Sequence, residues 1–112
     1  HADVAIALSP LDPLLYAMRA ARAFSHIVRE DYASGAEWAS LALRSPGAHK
    51  LIPMIATVAH HLNGDDEQAR ICAAAARAMD PTLSRADFFR AFPHRDGRTR
   101  QIISDALARF DF

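Results

Sequence analysis

Apolar residues recur along this chain with a helical period. Leu14, Met18, Ala21, Ser25 and Val28 fall on one row, and Ala17, Ala20, Phe24 and Ile27 on a second beside it. The spacing predicts a helix that is apolar over a wide face. Asp12-Pro13 opens it, because Asp caps a free backbone N–H and Pro suits the first helical position. A turn is expected at residues 29 to 31. A second helix follows over residues 32 to 44, carrying Trp38, Leu41 and Ala42, and Pro46 stops it.

The same plan then recurs. A helix is expected from about His49 to Leu62, with Pro53 in its first turn, where a missing N–H costs little. Asn63-Gly64-Asp65 reads as a turn, and a further helix runs from Asp66 to Met79 until Asp80-Pro81 ends it. Ala69, Ala73, Ala74, Ala75 and Ala76 leave that helix almost bare, which lets a neighbouring helix approach closely.

The recurrence has a measurable period. Ala7-Leu8-Ser9-Pro10, Leu43-Arg44-Ser45-Pro46 and Ala78-Met79-Asp80-Pro81 end alike, with prolines 36 and 35 residues apart. Gly35 and Ala69, Ala39 and Ala73, and Ala42 and Ala76 are each separated by 34 positions. A period near 34 is that of stacked helix-turn-helix units. Residues 3 to 8 read as the end of a preceding helix already under way, so the chain is expected to be cut from a longer one. His1 reads as a tag remnant.

The remainder departs from the period. Ser84 with Asp87 is a capping-box variant, Phe88, Phe89 and Phe92 make a short helix ended by Pro93, and Asp96-Gly97 makes a turn. Ile102, Ile103, Ala106, Leu107 and Phe110 then form a last amphipathic helix. Because a stack of repeats exposes an apolar face at its end, residues 82 to 112 are expected to cap it.

Gly64, Ala69, Ala76 and Pro81 resemble the tetratricopeptide signature of turn glycine, two small packing residues and terminal proline. The first full repeat is more degenerate, with Glu30 at the turn and Gly35 at the first small position. The run from Ala7 through Pro13 to Met18, with Ala36-Glu37-Trp38-Ala39 and Ala42-Leu43-Arg44, resembles the C-terminal tetratricopeptide region of bacterial adenylate/guanylate cyclase-like proteins. The resemblance implies an all-α, antiparallel helix-pair solenoid with C-terminal capping helices, forming one domain over residues 1–112. Within it, 1–11 end a preceding repeat, 12–46 and 47–81 are repeats, and 82–112 are the cap.

It also implies a non-catalytic protein–protein contact or scaffold role in signalling. A cyclase's catalytic residues would lie upstream of this chain. The alternative is a small-molecule-sensing or dimerisation arm of a bacterial transcriptional regulator. In this family the first helix of each pair lines a concave surface, which here implies Ala20, Phe24 and Ile27 in one repeat and Leu51, Met54, Val58 and His61 in the next. Apart from His61 these are apolar, unlike the Lys, Arg and Asn that hold an acidic tail in some relatives. The face is expected either to bind a partner or to be covered, by the chain's own cap or by a second copy.

Composition narrows the partners. Thirteen acidic and thirteen basic residues cancel, which removes the electrostatic footprint of a nucleic-acid binder. Twelve of those thirteen bases are Arg, Lys50 being the exception, which reads as codon bias in a GC-rich genome. No segment approaches the roughly 20 apolar residues of a membrane span. Cys72 is alone, so no internal disulfide forms, and a cytoplasmic setting is expected. The partner is expected to be a protein, a linked catalytic domain or a second copy, rather than nucleic acid or a membrane.

His26, His49 and the adjacent His60 and His61 lack the ligand spacing of a metal site. Asp65-Asp66-Glu67 lacks the alternating oxygens of a calcium loop and suits a helix start better. Cys72 has no base in register and reads as a small buried apolar residue. Trp38 and the cap phenylalanines read as core before contact anchors, and Arg95, Arg98 and Arg100 as a solvated turn before an anion site. No catalytic residue, cofactor or metal is assigned.

Overall fold

The two turns that divide the helix pairs are built alike, and they set the rest. A computed structural model describes residues 13–44, 50–93 and 97–112, with side chains for all of these except 13–16. Helix α1 spans Pro13–Val28 and α2 Tyr32–Leu43; α3 spans Leu51–Leu62 and α4 Asp66–Met79. After α1, Glu30 takes a left-handed φ of 61° and the Asp31 N–H donates to the His26 carbonyl at 2.8 Å. After α3, Gly64 takes a φ of 84° and the Asp65 N–H donates to the His60 carbonyl at 2.8 Å. Both use the left-handed residue that ends many helices by satisfying their last carbonyls. Asp31 and Asp65 then cap the following helices, accepting from the Ser34 and Gln68 N–H groups at 3.4 and 3.2 Å.

Side-chain size decides how the pairs stack. Gly35, Ala39 and Ala42 of α2 are buried, as are Ala69, Ala73 and Ala76 of α4. A Cβ on Gly35 would come within 3.2 Å of Ile27 Cγ1, so α1 and α2 approach more closely than a larger residue permits. α2 packs on both α1 and α3, and α4 packs on α3. α3 is therefore enclosed on all sides. All eight residues from Ile52 to Ala59 are buried, the pattern of a helix apolar on every face. Thr57, buried among them, donates its hydroxyl to the Pro53 carbonyl at 2.8 Å, which satisfies the polar group within the helix.

Helix α5, Arg85–Ala91, starts where the Ser84 N–H donates to the Asp87 carboxylate at 3.0 Å, and it stops before Pro93. Helix α6, Gly97–Arg109, returns across α3 and also touches α5. Its buried side, Ile103, Ala106 and Leu107, joins the core that contains Phe88 and Ile55, as does Phe110 just beyond its end. Six helices and no strand are found among the described residues. The expected helix over residues 3 to 8, the cap Asp12, the stop at Pro46 and the Asp96 half of the last turn lie outside the described residues.

Long-range polar contacts hold the ends. Lys50 pairs with Asp80 at 2.5 Å, joining the start of α3 to the end of α4. Arg98 pairs with Glu30 at 3.1 Å, and Arg109 with Asp66 at 3.3 Å, one near each end of α6. Both pairs are exposed and each contributes no more than about 1 kcal/mol.

Candidate functional site

The residues expected to line a concave face are largely enclosed. Ala20 sits with Ala42 and Ile52 where α1, α2 and α3 meet. Ile27, Met54 and Val58 are buried in the main core. Phe24 is half-buried and stacks on Phe92 at 5.4 Å between ring centroids, with Phe88 at 6.3 Å. His61 is half-buried with the Phe110 ring edge-on at 5.5 Å. Leu51 is also half-buried and borders a shallow hollow of 260 Å³ shared with Lys50, Asp87, Arg90 and Ala91. On the face formed by α1 and α3, Phe24 is thus covered by Phe88 and Phe92 and His61 by Phe110, whereas Ala20 is buried against α2 and α3 and Leu51 stays at an open hollow.

The histidines do not converge. His60 shares a hydrogen bond with the Ser40 hydroxyl at 3.2 Å, and burial lowers its pKa, which favours the neutral ring. His61 Nδ1 lies 2.6 Å from an Asp66 oxygen. His26 Nδ1 is buried 3.3 Å from Asp31, without the alignment of a hydrogen bond. His49 lies outside the described residues. Among those described, no three His, Cys, Asp or Glu side chains surround a metal-sized point.

The other singled-out residues have structural surroundings. The Cys72 thiol is buried, and desolvation with the nearby Asp65 charge pushes its pKa up to about 11, so the reactive thiolate is suppressed. Trp38 lies under the Arg22 guanidinium, 5.0 Å from the ring centroid, and Phe89 under Arg100 at 4.0 Å. Arg98 is engaged by Glu30, and Arg95 is outside the described residues.

One concavity was not anticipated. A cleft of 420 Å³ opens between α4 and the end of α6, lined by Asp66, Arg70, Arg77, Arg109, Phe110 and Asp111. Arg70 and Arg77 are seven residues apart and so share a face of α4, a relation visible in the sequence. Arg109 joins them only because α6 folds back, and no local signal gives that. Arg77 is fixed by donating to the Phe110 carbonyl at 2.5 Å, and its guanidinium lies 5.3 Å from the Phe112 ring centroid. Asp66 is held below the usual carboxylate range, first by the His61 hydrogen bond and then by Arg109.

The chain matches no family model, no curated protein and no solved structure. Any functional reading is therefore carried by the residues and their arrangement. The arrangement contains a tightly stacked set of helices, an arginine-lined cleft and three exposed large apolar side chains among the described residues, Met18, Ile71 and Met79. No helix among those described is long and apolar enough to cross a membrane.

Proposed function

We propose that this chain is a non-catalytic protein–protein contact module of the tetratricopeptide type, the C-terminal region of a bacterial adenylate/guanylate cyclase-like signalling protein. In this reading it acts in the cytoplasm on a partner or on a linked catalytic domain. The observation that supports it best is the recurrence at 34 residues of the same turn, the same Asp cap and the same seam of small residues, at Glu30, Asp31 and Gly35 and again at Gly64, Asp65 and Ala69. Repeats of this kind present extended surfaces rather than catalytic pockets.

Since most of the face formed by α1 and α3 is buried or covered, contact falls to the outer surface. Ile71 and Met79, both more than half exposed on α4, are positions where a partner's apolar surface would gain burial. The test is affinity capture by the whole chain compared with an Ile71→Glu, Met79→Glu double variant whose helix content is verified. A protein that binds the original chain saturably in purified form and is lost by the variant supports the reading. Turnover of ATP or GTP by the chain, abolished by a point mutation within it, overturns it.

A further inference from the structure

We propose that the cleft between α4 and the end of α6 binds a phosphate-type oxyanion. This goes beyond the contact role and does not depend on it. Three arginines, Arg70, Arg77 and Arg109, line one 420 Å³ concavity from two separate helices. Their chemistry selects the ligand. A carboxylate has two oxygens, which a single guanidinium fork can satisfy, whereas a phosphate offers three or more to donors arriving from different directions. The volume exceeds a bare phosphate ion and leaves space for the group that carries it.

Each arginine is differently committed. Arg77 spends one N–H on the Phe110 carbonyl and is steadied by the Phe112 ring, so its position is set before a ligand arrives. Arg109 uses Nε on Asp66, which leaves its terminal nitrogens outside that pair. Arg70 is exposed and, among the described residues, its side chain makes no hydrogen bond or ion pair.

Three features oppose an anion, and the structure offsets two of them. Asp66 is engaged by both His61 and Arg109. The last carbonyls of α6 would repel negative charge, but Leu107 accepts from the Phe110 and Phe112 N–H groups, Ala108 from the Asp111 N–H and Phe110 from Arg77. The Asp111 carboxylate remains at the lip, on a residue with a left-handed φ of 70° that Asp and Asn both tolerate. It is the group expected to weaken binding.

The experiment is a titration of the whole chain followed by amide chemical shifts, at constant ionic strength set with chloride. The probes are inorganic phosphate, a phosphoserine peptide and the same peptide with serine. Saturable shifts in residues 66–77 and 107–112 with phosphate or the phosphopeptide, and none with the serine peptide, are expected. Tighter binding of the phosphopeptide assigns the anion to a partner, and equal binding assigns it to a free phosphate. Arg70→Ala should weaken the site about tenfold while leaving the spectrum folded. Asp111→Asn should tighten it about threefold. Absence of saturable shifts, or identical titrations for the original chain and Arg70→Ala, overturns the proposal. Ile71 and Met79 lie outside the cleft lining, so this test and the partner test fail separately.

Discussion

Glu30 and Gly64 occupy the same left-handed position, 34 residues apart, with φ of 61° and 84°. Only one of them is a glycine. A residue with a Cβ bears roughly 1–2 kcal/mol of strain in this region, and glycine bears none. Glu30→Gly should therefore stabilise the chain by up to about 1 kcal/mol, once the greater freedom of glycine in the unfolded state and the loss of the exposed Arg98 pair are set against the relief. Gly64→Ala should do the reverse by about 1 kcal/mol, although no atom lies within 4 Å of the added Cβ. Urea unfolding of the two variants measures both, and equal effects of the same sign would contradict the shared turn geometry.

A second prediction concerns the cover over α3. Leu107 is fully buried where α6 joins the core. Leu107→Ala should cost about 2–5 kcal/mol through lost burial and the cavity left behind. Native-state hydrogen exchange should show α6 opening below the global unfolding free energy, with α3 and α4 retaining protection. If α3 lost protection together with α6, the cover would be an inseparable part of the core.

Acid should loosen the clasp between α3 and α4. The Lys50 hydrogen bond, with the Thr82 hydroxyl and N–H, holds the Asp80 carboxyl well below its usual range. A carboxyl depressed in the folded state stabilises above its unfolded pKa of about 3.9 and loses that contribution as pH falls through the folded value. The stability of the chain should fall below about pH 4, and Asp80→Asn should make that fall shallower. Thermal melts of the pair between pH 2 and 6 decide it, and parallel curves would remove Asp80 from the account.

The helix pairs were legible because their signals are local. Asp31 and Asp65 cap from within three residues, Gly64 ends α3 through its own backbone, and the small residues at 35, 39 and 42 recur at 69, 73 and 76 in one register. Glu30 was harder to read, since nothing in a glutamate signals a left-handed turn. Its left-handed φ is seen only in the folded turn, where the Asp31 N–H donates to the His26 carbonyl.

The fate of the apolar face was not legible in the same way. Phe24, Met54 and Val58 have the same spacing whether they are open or covered. Their covering depends on where α5 and α6 land, which is a matter of shape between distant segments. The arginine cleft depends on the same event, because Arg109 meets Arg70 and Arg77 only when α6 crosses α3.

By itself, then, the sequence determined the helices, their caps and the close seams of the pairs, since each is set by forces acting within one or two turns of backbone. Only the tertiary structure decided that α6 would lie over α3, filling one surface and creating another beside α4. That outcome reflects the burial of Ile103, Leu107 and Phe110 against residues some fifty positions earlier, a choice made by complementary shape and desolvation rather than by local pattern.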